Sequence, residues 1–300
     1  MIYDAIIVGG SYAGISAALQ LARARRKVLV VDAGKRRNRF AATSHGFLGQ
    51  DGQDPAKIAS QARDQLLVYP NVDWLCQEAS SASKQPDGLT VTTADGNSFT
   101  GQRLILAGGV IDKLPNIPGL AQRWGKYVFH CPYCHGYELQ NGPIGVLAAT
   151  PLAMHHALML PDWGPTTLFL NQVFEPDAEQ LAKLAQRGVT LEREPVASIG
   201  GNAADVTLAN GRVVALAGLF TQPSTSVASP LAAQLGCQFE AGPLGDFIKV
   251  DALRETSVPG VFACGDAAIT AGNVAMAVGS GAQAGATAHQ SLIFRNAEAG

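Results

Sequence analysis

The chain has 300 residues, of which 47% are hydrophobic and 15% charged. Because domains are typically about 100–150 residues long, this length is enough for two of them. The 22 basic and 24 acidic residues give a net charge of −2, which argues against nucleic acid and anionic membranes as partners. Five cysteines are too few for a disulfide framework, so the composition favours a globular protein of the reducing cytoplasm.

The N-terminus predicts a buried β-strand and no signal peptide, because no basic segment precedes the apolar residues and Asp4 comes early. The longest apolar stretch, residues 144–160, is interrupted by Pro151 and His155 and is short for a membrane helix, which needs about 20 residues. We therefore expect no membrane-spanning segment.

Residues 5–32 follow the order strand, glycine turn, helix, strand, acid, which is the dinucleotide-binding fingerprint in its required context. Gly9 permits a tight turn, Gly14 lets the helix pack on the strand, and Asp32 is placed to bond a ribose hydroxyl. Ser11 replaces the middle glycine and is small enough to leave room for a pyrophosphate at the helix N-terminus. The predicted segments are strand 5–8, turn 9–14, helix 15–24 and strand 27–31.

Two features of the loop that follows are open to two interpretations. The basic run from Lys35 to Arg39 is either a solvated loop or lies near a dinucleotide phosphate. His45 either contacts a cofactor ring or caps its own loop. Farther on, the pattern predicts a helix over 55–67, a hairpin over 89–93 and 98–100, and a buried strand over 104–107 that ends at Gly108.

Cys131 and Cys134 are separated by two residues and flanked by His130 and His135. This spacing suits a reversible disulfide with one activated thiol, and the histidines offer acid–base groups that titrate near neutral pH. Half of a zinc site is the alternative, but zinc needs a second pair of ligands. His130 is equally well explained as a loop histidine. The other cysteines stand singly, at Cys76, Cys237 and Cys264.

A second strand–helix–strand unit is predicted over 144–147, 152–160 and 167–170. Its turn, residues 148–151, contains no glycine, and no arginine follows its second strand until Arg187. Since arginine normally receives the 2′-phosphate of NADPH, this unit predicts a poor NADPH site. A further hairpin is predicted over 204–219. The chain ends with a strand over 247–250, the segment Pro259 to Asp266, and a helix of small residues over 274–294.

The glycine turn, the Cys-X-X-Cys pair and the segment Pro259 to Asp266 together resemble the low-molecular-weight thioredoxin reductase family of flavoproteins, over nearly the whole chain. The resemblance implies an α/β fold of two Rossmann-like nucleotide-binding domains, each a three-layer ββα sandwich, the second inserted into the first. It implies a discontinuous FAD-binding domain at 1–115 and 240–300, and a redox-disulfide domain with a degenerate NADPH-binding-like fold at 116–239. The FAD-binding residues that it implies are Gly9, Gly10, Ser11, Ala13, Gly14, Asp32, Ala33, Gly108, Gly265, Asp266, Asn273 and Val274.

The same resemblance implies two-electron exchange between FAD, the Cys131–Cys134 disulfide and an external dithiol or disulfide, with Cys134 on the flavin side and no metal. His135 or His130 would move the thiol proton. Ordinary thioredoxin reductases carry aspartate in place of His135, whereas the form of residues 131–138 is similar to the dithiol oxidases of gliotoxin-type and holomycin-type natural products. The expected partner is a small-molecule dithiol or a thioredoxin-like protein, and the expected assembly is a homodimer. An NADPH-dependent thioredoxin reductase, a ferredoxin-dependent one and a non-catalytic flavin-binding redox sensor are the alternatives.

Overall fold

The protein is described by a computed structural model that covers residues 2–270 and 272–297. The chain forms two compact units. Unit 1 contains Met1–Arg39, Phe47–Ile111 and Thr225–Gly300, and unit 2 contains Phe40–Gly46 and Asp112–Ser224. Within the described ranges, no helix combines the length and the apolar character that crossing a membrane requires.

The elements are numbered in chain order. The strands are β1 (Ile2–Val8), β2 (Val28–Val31), β3 (Val72–Leu75), β4 (Ala79–Gln85), β5 (Gly88–Thr93), β6 (Ser98–Leu106), β7 (Val110–Lys113), β8 (Val128–Phe129), β9 (Ile144–Leu147), β10 (Thr166–Phe169), β11 (Thr190–Glu192), β12 (Val196–Gly200), β13 (Asp205–Leu208), β14 (Val213–Val214), β15 (Gly218–Thr221), β16 (Ser224–Val227), β17 (Phe239–Ala241), β18 (Asp246–Ile248) and β19 (Val261–Ala263). The α-helices are α1 (Tyr12–Arg23), α2 (Pro55–Leu67), α3 (Leu120–Arg123), α4 (Pro132–His135), α5 (Ala153–Met159), α6 (Ala178–Gln186), α7 (Leu231–Gln234) and α8 (Val274–Ala297).

Unit 1 is built on a sheet with the strand order β3-β2-β1-β6-β5-β4, in which β19 also pairs with β6. The long strand β6 has two roles: its first half pairs antiparallel with the β4–β5 hairpin, and its second half pairs parallel with β1 and β19. Helices α1 and α8 pack together against this parallel part through small side chains such as Ala17, Ala284 and Ala288. The hairpin therefore extends the same sheet, and α1 and α8 cover its parallel part.

Unit 2 repeats the scheme in a smaller form. Its parallel sheet has the order β11-β10-β9-β15-β8, and α5 packs against β9 and β10. A second, antiparallel sheet of β12, β13 and β14 covers its other side through Ile199, Val206 and Leu208, which share a core with Leu147 and Leu219. The predicted α/β class, with parallel sheets in both units, is confirmed.

The boundaries of the units differ from the boundaries of the sequence-based domains at 115/116 and 239/240. The chain enters the main part of unit 2 after Ile111 and returns to unit 1 at Thr225. Residues 225–239 belong to unit 1 because the backbone N–H of Ala82 donates to Gln234 Oε1 at 2.9 Å and Leu231 is fully buried in the core of that unit. This segment carries no nucleotide motif, so its sequence gives no indication of the return.

Residues 40–46 are a second difference, since they lie in unit 2 although their neighbours in sequence lie in unit 1. Gly125 shows how tightly this loop is seated: a Cβ atom at that position would lie only 2.8 Å from Phe40 Cβ. The loop therefore brings His45 to unit 2.

Candidate functional site

The predicted cofactor residues of unit 1 lie along one edge of its sheet. Strands β2, β1, β6 and β19 are parallel neighbours in that order, so their carboxyl ends meet at the same edge. The segments that follow these strands carry the glycine turn, Asp32, Gly108 and the pair Gly265–Asp266. Topology thus brings together motifs from both ends of the chain.

The glycine turn between β1 and α1 depends on two close backbone approaches. Gly9 has φ of +103°, and a side chain there would meet the Ala107 carbonyl. A Cβ at Gly14 would collide with the Gly9 carbonyl, so α1 lies directly against the turn. The Gly10 N–H donates to Asp32 Oδ1 at 3.0 Å, which fixes the turn to the end of β2. Ser11 is the N-cap residue of α1 and forms no side-chain cap hydrogen bond within the described chain.

The late motif lies against the same helix. Gly265 has φ of +66°, its N–H donates to Ser280 Oγ at 3.0 Å, and a Cβ atom there would lie 2.9 Å from Ala13 Cβ. Asn273 acts as the N-cap of α8, because its Oδ1 accepts from the Met276 N–H at 2.8 Å. Val274 is the first residue of α8, and Ala33 is exposed beside Asp32. The late motif therefore lies at the same edge as the glycine turn.

Two further residues at this edge were not singled out individually in the sequence. Arg37 forms an ion pair with Asp266, with Nη1 2.8 Å from Oδ2 and both side chains about four-fifths buried, which decides the basic run against a purely solvated loop. Trp74 in β3 fills the space beside Gly10, and its Nε1 is buried with no hydrogen-bond partner among the described residues. Arg37 was indicated by the basic run, whereas nothing in the motif pattern indicates Trp74.

In unit 2, Cys131 and Cys134 form a disulfide at the start of the short helix α4, with their Cα atoms 5.3 Å apart. Pro132 begins the helix, and the Cys134 N–H donates to the Cys131 carbonyl at 3.2 Å. Gly136 ends the turn, where a Cβ atom would lie 2.8 Å from Trp163 Cδ1. The tight turn therefore brings the two cysteines together, and Trp163 leaves no room for a side chain at Gly136.

His135 stacks on Phe129, with ring centroids 4.3 Å apart and an interplanar angle of 14°. Burial lowers the pKa of His135 to about 4, and the charge of His45 lowers it further in the same direction. Both ring nitrogens are buried and have no hydrogen-bond partner in the described part of the chain. The expectation that this histidine titrates near neutrality is therefore wrong: it is neutral there and able to accept a proton.

The other two histidines of interest lie nearby in unit 2. His130 follows β8, and its ring centroid is 6.0 Å from that of Trp124. His45 Nε2 lies 3.2 Å from Thr43 Oγ1 and 3.4 Å from Glu138 Oε1. Of the two interpretations of His45, capping its own loop agrees with the contact to Thr43.

The remaining cysteines do not join the pair. Cys76 is exposed, while Cys237 and Cys264 are buried, and all three belong to unit 1. Burial raises the pKa of Cys264 to about 12 and also raises the pKa of Cys237, so both remain thiols at neutral pH. Among the described residues, no group of three or more histidine, cysteine or acidic side chains is arranged to hold a metal ion.

The turn of the second strand–helix–strand unit contrasts with the glycine turn. Thr150 Oγ1 stabilises this turn by accepting a hydrogen bond from the Leu152 N–H at 3.3 Å. Each residue from Ala148 to Leu152 carries a side chain, so the turn has no glycine. The arginines of this unit that follow the second strand are already paired with carboxylates. These pairs are Arg187 with Asp162, Arg193 with Glu175 and Arg212 with Glu192.

Comparisons with known proteins agree with this architecture. The sequence profile of the pyridine nucleotide-disulphide oxidoreductase family matches residues 3–286. The protein "Thioredoxin reductase tcpT" of Claviceps purpurea (strain 20.1) is 33% identical, over 97% of this chain and 95% of its own length. The crystal structure of an oxidoreductase from Agrobacterium tumefaciens superimposes with a TM-score of 0.95 at 56% identity, covering 98% of this chain and 99% of that one. The crystal structure of HlmI superimposes with a TM-score of 0.92 at 33% identity, covering 99% and 95%.

The family match extends over both units, and it includes the glycine turn of unit 1 and the disulfide of unit 2. The predicted resemblance is therefore confirmed. The chain belongs to the pyridine nucleotide-disulphide oxidoreductase family and is a thioredoxin reductase-like enzyme within it.

Proposed function

We propose that the protein is an FAD-dependent dithiol/disulfide oxidoreductase that takes electrons from an external dithiol and does not use NADPH. The observation that carries this proposal is the closed Cys131–Cys134 disulfide followed directly by a buried, neutral His135. A disulfide next to a proton acceptor is prepared to oxidise a thiol, because the attacking species is the thiolate.

The edge of unit 1 fits FAD. The contacts of Gly9 and Gly14 leave the start of α1 free of side chains, so its backbone N–H groups can receive a pyrophosphate. Asp32 would hold a ribose hydroxyl, and the largely buried Arg37–Asp266 pair would hold a phosphate and a hydroxyl of the ribityl chain. FAD, when bound, supplies a two-electron acceptor for the reduced cysteine pair. Unit 1 is therefore the proposed FAD-binding unit, and unit 2 carries the redox disulfide.

The first half of the reaction opens the disulfide. One substrate thiol gives its proton to His135, and the resulting thiolate attacks the sulfur of Cys131. The Cys131–Cys134 bond breaks, a mixed disulfide between substrate and Cys131 forms, and Cys134 leaves as a thiolate. The new negative charge beside His135 favours its protonated form, so proton uptake and disulfide opening support each other.

The second half closes the substrate disulfide. The second substrate thiol loses its proton to solvent, and its thiolate attacks the substrate sulfur of the mixed disulfide. Cys131 leaves as a thiolate, so the substrate has lost two electrons and two protons and the protein holds a reduced pair. FAD, held by the residues of unit 1, would supply the acceptor for the two electrons that the cysteine pair gives up when it closes again.

Unit 2 supports the exclusion of NADPH from this scheme. A nucleotide needs close backbone approach at the turn after β9, where Thr150 and Pro151 stand in place of glycines. A 2′-phosphate needs arginine, and Arg193 and Arg212 are bound to Glu175 and Glu192. The carboxylates at these positions would also repel a phosphate.

Anaerobic reduction of the purified yellow protein tests the proposal. We expect a small dithiol such as dithiothreitol to bleach the flavin absorbance band and an equal concentration of NADPH to leave it unchanged. Cys134→Ser should stay yellow and fail to oxidise dithiols. Cys76→Ser, which changes the exposed cysteine of unit 1, is the matched control and should turn over normally.

Rapid bleaching by NADPH would instead establish a conventional thioredoxin reductase, the activity that the name of the Claviceps protein states. Colourless protein would refute the FAD assignment. Slow dithiol turnover with a change in oligomer size on reduction would favour a redox sensor.

A further inference from the structure

Two largely exposed tyrosines lie beside the redox disulfide on the same helical segment. Tyr133 stands between the two cysteines in α4 and is 73% exposed, and Tyr137, in the 3₁₀ turn Tyr137–Leu139 that follows, is 84% exposed. Gly136 joins the two turns in a right-handed helical conformation, so the tyrosines, four residues apart, lie on the same side of the segment. Pro132 and Gly136 are buried and form the side that faces the protein.

A third aromatic ring supports this arrangement. Trp163 meets Tyr133 edge to face, with ring centroids 5.4 Å apart and an interplanar angle of 86°. The contact restricts the Tyr133 ring, although most of its surface stays open to solvent. Helix neighbours four residues apart have Cβ atoms about 5–6 Å apart, so one flat ring can contact both tyrosines at once. We call Tyr133 and Tyr137 together the aromatic platform.

The segment that carries the platform offers no positive charge to an anionic ligand. Residues 127–182 contain no lysine and no arginine. Arg187 reaches the residue before Trp163, but it is paired there with Asp162 at 2.6 Å. Glu138, directly after Tyr137, is partly exposed and would repel a carboxylate. The chemistry of this surface therefore fits an uncharged ligand with a flat apolar ring.

Resting on the proposed function, we propose that the aromatic platform is a substrate subsite that selects small, uncharged dithiols carrying an aromatic ring. A substrate must approach the disulfide to react, and a ring held on the platform brings its thiols to the same segment, so binding orients the attack on Cys131. Tyrosine suits this task because its ring is large, rigid and apolar while its hydroxyl can remain in water. The thiol exchange itself is unchanged, and the subsite decides which dithiol reaches it.

Two dithiols that close the same six-membered disulfide ring test the proposal: 1,2-benzenedimethanethiol, which carries an aromatic ring, and dithiothreitol, which does not. Each is used to bleach the flavin of the holoenzyme anaerobically, and the second-order rate constant is measured. We expect Tyr133→Leu and Tyr137→Leu each to lower the rate constant for the aromatic dithiol by about threefold to tenfold relative to that for dithiothreitol. Because each variant is compared with the parent through the ratio of the two dithiols, differences in intrinsic thiol reactivity cancel.

The control variants separate the ring from other effects. Tyr133→Phe and Tyr137→Phe keep the ring and should keep the parent ratio. Tyr127→Leu changes another exposed tyrosine of unit 2, at the opposite end of β8 from the disulfide, and should keep the ratio as well. Equal losses for both dithiols in the leucine variants would overturn the proposal, because they would indicate a structural role. Slower oxidation of a reduced thioredoxin at an unchanged dithiol ratio would also refute it, since the platform would then serve a protein partner.

A binding measurement separates the subsite from the proposed function. 1,2-Benzenedimethanol has the shape of the aromatic dithiol but cannot reduce the disulfide, and threitol is the corresponding diol of dithiothreitol. In saturation-transfer NMR we expect 1,2-benzenedimethanol to bind the oxidised parent, to lose most of this signal with the variant that combines Tyr133→Leu and Tyr137→Leu, and to bind better than threitol. Equal binding to parent and variant, or equal binding of the two diols, would exclude the subsite. If the parent bleaches with neither dithiol, the proposed function has failed, and this titration still decides whether the platform binds aromatic rings.

Discussion

A second buried histidine, His156 on α5, allows us to predict how much free energy of unfolding the protein loses at acidic pH. Its side chain is 4% exposed, it lies edge-on to Phe220 with ring centroids 6.2 Å apart, and its Nδ1 has no hydrogen-bond partner among the described residues. Burial, and then the charge of His155, lowers the pKa of His156 from 6.5 to about 4. The folded protein therefore keeps this ring neutral, whereas the unfolded chain protonates it near pH 6.5.

The sign of the effect follows from that difference. Between pH 6.5 and about 4 the unfolded chain binds the proton more tightly than the folded protein does, so the free energy of unfolding falls as the pH falls through this range. Above this range the contribution of the neutral ring to stability is fully present. At pH 5 a shift of this size costs about 2 kcal/mol, and the full loss below pH 4 is about 3 kcal/mol. A loss of 2 kcal/mol lowers the melting temperature by roughly 4–8 °C.

Thermal unfolding of His156→Phe at pH 7.5 and pH 5 measures this contribution. For each protein we compare the melting temperatures at the two pH values. Any packing cost of phenylalanine is independent of pH, so it drops out of this difference. We expect His156→Phe to lose several degrees less than the parent on acidification, while His155→Phe, the same change at an exposed neighbour, keeps most of the loss. If His156→Phe is as acid-sensitive as the parent, the neutral buried state of His156 is wrong.

Two further predictions concern the packing of α8 in unit 1. Gly285→Ala should lower the free energy of unfolding by about 1–3 kcal/mol, because its Cβ would overlap the Ala17 carbonyl of α1. Gly279→Ala, on an exposed part of the same helix with open space around it, should raise the free energy of unfolding by about 1 kcal/mol through helix propensity. If urea unfolding shows the same change in free energy for both variants, the tight contact at Gly285 is refuted. Arg103→Met should cost about 2–3 kcal/mol, since it removes the hydrogen bonds that the buried, charged guanidinium donates to the hydroxyl and the carbonyl of Ser291 at 2.7 Å each. Arg103→Lys should recover part of the loss in urea midpoint, and a fully stable Arg103→Met would contradict this account.

The parts of the fold that sequence predicts well are those whose physical causes are local. The helix over 55–67 is observed with the same bounds, because Asp54 caps it and Pro55 begins it. The strand–turn–helix around Gly9 is predicted for a similar reason: the steric demands of the turn act between neighbours in sequence. Helix α1 begins at Tyr12, three residues before the prediction, since its first turn lies inside the glycine motif.

Contacts between distant segments could not be predicted in this way. The Arg37–Asp266 ion pair joins residues 229 apart, and only the strand order β2-β1-β6-β19 brings them to one edge. The loop that carries His45 has no periodicity or turn signal that ties it to unit 2, so its partner Glu138 could not be identified from sequence. The homodimer and the roles of the individual FAD residues stay predictions.

His135 shows why the identity of a site residue is easier to predict than its behaviour. The motif places a histidine directly after Cys134, and its intrinsic pKa suggests a group that switches near neutral pH. The ring instead lies against Phe129 and near His45, which removes water and adds a like charge, and both effects favour the neutral form. A histidine so placed is a weak base until a negative charge appears next to it. In the proposed mechanism, opening of the Cys131–Cys134 bond would create that charge, so the environment that suppresses protonation in the resting protein would couple it to the redox step.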